Sequence, residues 1–165
     1  MTHKNEDSDI CCPEFNKEPW DEKTHIWKNK LFIKDNVRLF LHIPLPSSMK
    51  RTIGSMWKKA EAAKADPEVK DFILMATDPS PWKSELYMSV TKEVPDAENV
   101  KLSGTFLTKV FDGPYNAVPK WIKEMDKFVS SKGKKTKKYY FYYTTCPKCA
   151  KKYGHNYAVA IAQVD

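Results

Sequence analysis

The chain of 165 residues holds no apolar run near the ~20 residues that a membrane-spanning helix needs. Its start, Met1 to Asp9, is polar and acid-rich, without the basic stretch and apolar core of a secretory signal. Both absences point to a cytoplasmic protein with no membrane partner. Glycine is scarce, with five in the whole chain, which excludes collagen-like and low-complexity architectures. Arginine stands only at positions 38 and 51, so the bidentate guanidinium on which base-specific nucleic-acid readers lean is nearly missing. Cysteine is limited to four. A domain of this size buries roughly 70% of the surface of its unfolded chain, so no cofactor or disulfide is required to hold a core.

Lysine and aromatic residues, by contrast, are abundant. The net charge is +7, yet residues 120 to 152 alone carry eleven Lys against Glu124 and Asp126, a local +9 that leaves the rest of the chain at −2. A nucleic-acid or gyrase-associated role would rest on this one Lys-rich face, which a solvated surface explains as well. The aromatic set of eight Phe, eight Tyr and five Trp exceeds the needs of a small core. Tyr and Trp present a flat apolar body with a polar tip, which suits pockets and interfaces.

The pattern along the chain predicts an irregular lead-in over residues 1–35, draped on the domain with Trp20 and Trp27 as anchors, and a folded domain over 36–165. Val37 to Ile43 reads as a strand stopping at Pro44. Ser47 or Ser48 offers a helix cap, and Met49, Ile53, Met56, Trp57 and Ala60 follow at helical spacing. Phe72 to Met75 suits a strand, Asp78 to Pro81 a turn, and Leu86, Met88 and Val90 alternate with Glu85, Tyr87 and Ser89. After a connector at 94–100 the same order recurs. A strand over Gly104 to Phe111 leads through a turn into a helix from Val118 that closes near Gly133, followed by strands over 138–144 and 157–164. Two strand-helix-strand-strand units, about 36–93 and 101–165, predict an α+β domain with an antiparallel sheet, both helices on one face and a ligand cleft on the other.

The duplicated unit, with Gly113-Pro114-Tyr115 opening a helix that carries Trp121 and leading to an aromatic and then an apolar strand, resembles the GyrI-like small-molecule-binding domain. That domain also serves as the effector-binding part of multidrug-sensing regulators. The resemblance covers about residues 36 to 165 and implies a cleft for bulky aromatic or cationic compounds. One subfamily hydrolyses cyclopropane-bearing DNA-alkylating compounds with an aromatic cage. Multidrug-sensing members carry a Glu on the last strand; here Tyr157-Ala158-Val159-Ala160-Ile161 has none. No helix-turn-helix segment precedes the domain in this sequence, which argues against a fused regulator.

The function expected is therefore capture of bulky aromatic or reactive xenobiotics, with hydrolysis as one reading and non-catalytic sequestration as the other. Tyr87 shares the open face with Glu85, joined by either Tyr140 and Tyr142 or Tyr139, Phe141 and Tyr143. Trp82 and Tyr115 stand at loop ends beside it, and Trp121 is either a ligand contact or plain core. Glu85 or Glu124 could hold the attacking water, Glu124 having an exposed-helix salt bridge as its plainer role. Cys146 and Cys149 are spaced as half a zinc site that Cys12 and His155 could complete; structural zinc and metal-free thiols, whether plainly structural or a redox pair, both stay open.

Overall fold

The computed structural model describes residues 15–41, 43–68, 71–144, 151 and 153–164, with the side chains of Pro44, Pro46 and Tyr115 outside the description. Regular structure begins earlier than the sequence pattern suggests. Strand β1 runs Lys23–Phe40, so residues 23–35, expected in an irregular lead-in, are the first 13 residues of an 18-residue strand. The alternation there is broken by a bulge between Trp27 and Lys30, where Asn29 adopts a left-handed φ of 49° and its N–H bonds to Ser103 Oγ at 2.8 Å. Trp27 and Phe32 are five residues apart, which in an unbroken strand would send them to opposite faces. The bulge puts both into one core cluster.

The strands that follow are β2 (Ile43–Pro44), β3 (Leu74–Ser80), β4 (Lys83–Ser89), β5 (Glu98–Asp112), β6 (Thr136–Tyr143) and β7 (Tyr157–Val164). They form one antiparallel sheet in the order β2-β1-β4-β3-β6-β7-β5, and an additional β1–β5 pairing closes it into a barrel-like shape. The long β1 makes this closure. Its later part pairs with β4 from Phe32↔Ser89 to Arg38↔Lys83, and its earlier part pairs with β5 from Lys23↔Thr108 to Lys34↔Glu98. The first part of β5 is thus a strand where a connector is expected. The order β1-β4-β3 is mirrored by β5-β7-β6 about the β3–β6 junction, which is the duplication read from the sequence.

Helix α1 (Pro46–Ala62) follows β2, and helix α2 (Val118–Ser131) follows β5 through a short 3-10 turn at Tyr115–Ala117. Neither Ser47 nor Ser48 caps α1. Its N-cap is Leu45, and Pro46 occupies the first turn, where a fixed φ and a missing N–H cost nothing. Gly133, at φ 69°, closes α2 while the Lys134 N–H bonds back to the Val129 carbonyl at 3.2 Å.

Both helices lie on the outer side of the sheet. Met56 and Ala60 of α1 pack on Ile33, Val37, Leu86 and Met88. Trp121, Met125 and Val129 of α2 pack on Leu107, Phe111, Phe141 and a row of alanines, Ala158, Ala160 and Ala162. Small side chains on alternate positions of β7 let α2 approach closely. The opposite, inner side collects Trp27, Phe32, Met75, Tyr87, Phe106, Tyr140, Tyr142, Val159 and Ile161. Among the described residues no helix is long and apolar enough to cross a membrane.

Candidate functional site

Strand alternation decides which aromatic residues meet. On β6 the inner positions are Tyr140 and Tyr142, whereas Tyr139, Phe141 and Tyr143 point outward under α2. The Tyr140 ring stands edge-on to Tyr87 at 5.5 Å and 84°, and Tyr87 stands edge-on to Phe32 at 6.4 Å and 88°. At the polar end of this cluster lies Glu85. The Tyr87 hydroxyl donates to Glu85 Oε2 at 3.1 Å, and the ammonium of Lys34, on β1, reaches the same oxygen at 2.6 Å. Among the described residues neither contact uses Oε1. The two side chains of the ion pair are 20% and 12% exposed, so the pair is mostly shielded from water.

Burial alone would raise the Glu85 pKa, but the hydrogen bonds from Lys34 and Tyr87, with the charges of Lys34 and Lys138, outweigh it and hold the group below the ordinary carboxylate range. The Tyr87 hydroxyl is pushed well above its ordinary value by burial first and by the Glu85 charge second. Burial raises Tyr140 likewise, with Glu85 again adding to the effect. The site at neutral pH is therefore one carboxylate beside two phenols that keep their protons. A carboxylate can take a proton from water, and neutral phenols can donate hydrogen bonds to a developing oxyanion.

Further along the inner face the N-terminal segment covers the sheet. Phe15 packs edge-on against Tyr142 at 6.1 Å, Trp20 does so at 6.0 Å, and Trp27 lies on Phe106 at 4.3 Å. The Tyr142 hydroxyl donates to the Phe72 carbonyl at 3.2 Å. Tyr142 thus shares the face with Tyr87 and Tyr140 but sits beneath Phe15 and Trp20. At the Lys34 end there is an empty groove of about 200 Å³ between Lys34, Asn36 and Glu98 on one side and Met56 and Lys59 of α1 on the other.

The other residues singled out from the sequence lie elsewhere. Trp121 is buried on the outer side, stacked on Phe111 at 5.6 Å and 17°, so it is core beneath α2 and not part of the inner aromatic face. Glu124 is on the same helix, across the sheet from Glu85. Trp82 is 54% exposed in the β3–β4 turn, edge-on to Phe40 at 5.8 Å. Cys12, Cys146 and Cys149 and the Tyr115 side chain lie outside the described residues. His155 Nδ1 is 2.9 Å from Asp112 Oδ2, and its ring stacks on Tyr157 at 4.9 Å, so only Nε2 is left for a further partner. Asp112 also accepts the Asn156 N–H at 2.9 Å; these bonds overcome burial and lower its pKa.

Two residues of the cluster escape the sequence reading. Lys34 belongs to the segment taken as lead-in, although Phe32 and Lys34 at i and i+2 share a face. Lys138 is one of eleven clustered lysines, yet Lys138, Tyr140 and Tyr142 stand at i, i+2 and i+4 and therefore share the inner side.

This architecture, two mirrored strand-helix-strand-strand units around an aromatic interior, fits a GyrI-like fold. It is shared with a hydrolase from Listeria innocua (TM-score 0.62, 13% identity, 88% of this chain and 93% of that one), with the EcmrR C-terminal domain (TM-score 0.62) and with an uncharacterized conserved protein from Listeria innocua (TM-score 0.63). The EcmrR domain is 12% identical over 88% of this chain and 98% of that domain, and the uncharacterized protein is 10% identical over 88% and 93%. At such identities the likeness is one of fold alone. No curated protein matches the chain. The family described as "Bacterial hydrolase" matches residues 2–164, nearly the whole sequence, and the chain belongs to that family.

Proposed function

We propose that the protein binds planar aromatic small molecules against the Tyr87 and Tyr140 rings and hydrolyses reactive ones, with cyclopropane-bearing alkylating compounds as the substrate class. The observation that carries this reading is the Glu85 carboxylate, held by Tyr87 at 3.1 Å and Lys34 at 2.6 Å through one oxygen, so that among the described residues neither contact occupies the oxygen that would take up a water. Membership in a hydrolase family supports the same reading. Because Phe15 and Trp20 cover the Tyr142 end, a ligand enters from the rim formed by Lys34 and Lys138.

Glu85 takes a proton from a water whose oxygen attacks the strained ring carbon. The carbon–carbon bond breaks, and its electron pair moves through the conjugated system to the carbonyl oxygen. A hydrogen bond from Tyr140 stabilises that oxygen, which takes a proton from solvent to become a phenol of the single ring-opened product, and Glu85 returns its proton to solvent. Base catalysis of this kind contributes about 10²- to 10⁴-fold. A non-catalytic binder would share the aromatic face and lack the proton transfer. Counting product against protein separates the two: many equivalents are expected from the native protein, and product that never exceeds one equivalent would sink the enzyme reading. Glu85→Gln should slow turnover by at least about 100-fold while leaving ligand affinity within a few-fold.

A further inference from the structure

Lys138 occupies the place on the aromatic face that a cationic ligand would take. Its Nζ lies 5.2 Å from the centroid of the Tyr140 ring and 5.9 Å from that of Tyr87. Both distances are within the range at which the negative face of a ring attracts an ammonium. Among the described residues Lys138 has no ion pair within 4 Å; the nearby carboxylate, Glu85, is already bonded to Lys34. Its register partner on β7 is the uncharged Gln163, and the inner positions beyond it, Ile161 and Val159, are apolar. A cation arriving at Tyr87 and Tyr140 would have to displace Lys138 from both rings, and it would find no carboxylate on β7 to compensate. An anionic group would meet an ammonium that lacks a close counter-ion.

We propose that Lys138 is the specificity-determining residue of this face, selecting planar aromatic ligands that carry or develop negative charge and excluding aromatic cations. This rests on the reading of the Tyr87 and Tyr140 face as the ligand site and adds the charge class of what binds there. The test compares two bicyclic probes of nearly equal size, 2-naphthoate and N-methylquinolinium, by calorimetric titration of the full chain. Amide and side-chain NMR shifts of Lys138 and Tyr140 report where each probe binds. The native protein is expected to bind the naphthoate at least about tenfold more tightly, and Lys138→Met, which keeps length and removes charge, to erase or reverse that preference. Lys138 is half-buried at the rim, so the variant is expected to stay folded, and circular dichroism of the variant against the native protein checks this. Equal preference in native and variant proteins, with shifts at Tyr140, would overturn the inference while leaving the site intact. Probe binding that shifts neither Lys138 nor Tyr140 would overturn the site and the inference together.

Discussion

The ion pair between Lys34 and Glu85 should be energetically coupled in a way that a surface pair is not. At 2.6 Å and an effective dielectric near 20, the gross attraction is about 6 kcal/mol. Screening by the solvent that still reaches both side chains and relaxation of the long Lys34 side chain reduce it, so a coupling of about 2 kcal/mol is expected. The pair formed by Lys109 and Glu22 is the internal control. It is longer, at 3.4 Å, and the Glu22 side chain is 60% exposed, so a coupling of about 0.5 kcal/mol or less is expected there. Urea unfolding of Lys34→Met, Glu85→Gln and the double variant, with the matching set at Lys109 and Glu22, measures both couplings. The pH dependence has a definite sign. The folded pKa of Glu85 lies below its ordinary value of 4.5, so its contribution is complete above that value and is lost as pH falls through the lower folded pKa. Lys34 is raised from 10.5, chiefly by its hydrogen bond to Glu85, so its contribution is present below that value and fades as pH rises through the higher folded pKa. Equal couplings for the two pairs, or a Lys34–Glu85 coupling unchanged on acidification through the folded pKa of Glu85, would refute this account of the site's electrostatics.

Other outcomes follow from the same structure. Met125→Ala, which empties a fully buried position beneath α2, should cost about 2–5 kcal/mol in urea unfolding without changing ligand affinity, because α2 is across the sheet from the aromatic interior. Trp20→Ala should uncover Tyr142 and increase the fluorescence of an apolar dye, measured against the native protein. The Tyr139 hydroxyl, bonded to Asp126 and pushed up to about 12 mainly by burial, should yield no tyrosinate absorbance near pH 10, as a difference titration against Tyr139→Phe would show. Metal analysis of purified protein decides between the two readings of Cys12, Cys146, Cys149 and His155: structural zinc gives one equivalent per chain, and reduced thiols give none and titrate freely.

Where the sequence alternates or repeats without interruption, it is easy to read. The helices at Met56 and Trp121, the inward Tyr87 and the last strand at 157–164 all follow from unbroken periodicity, and the duplicated order emerges from comparing the halves. The long β1 hides because one bulge shifts its phase by a residue, so Trp27 and Phe32 read as unrelated. Its partner, the first part of β5, hides for a linked reason: Glu98 to Leu102 has little apolar character and becomes a strand by pairing with β1. Glu85, Tyr87 and Tyr140 can be nominated from their positions, but the two-fold choice at β6 needs the tertiary structure. Lys34 and Lys138 share the alternation of Phe32 and of Tyr140 and Tyr142, but what makes them site residues is their contact with strand partners distant along the chain.

The central claim is that a planar ligand sits on the Tyr87 and Tyr140 rings with Glu85 beside it. A crystal structure of Glu85→Gln soaked with an unreacted cyclopropane-bearing aromatic compound tests this most directly. Density is predicted against those two rings, with the strained carbon near the position 85 side chain and Lys138 moved to the ligand's edge. Density confined to the groove beside Met56 and Lys59, or a ligand-saturated crystal with the two rings still covered by Lys138, would contradict it.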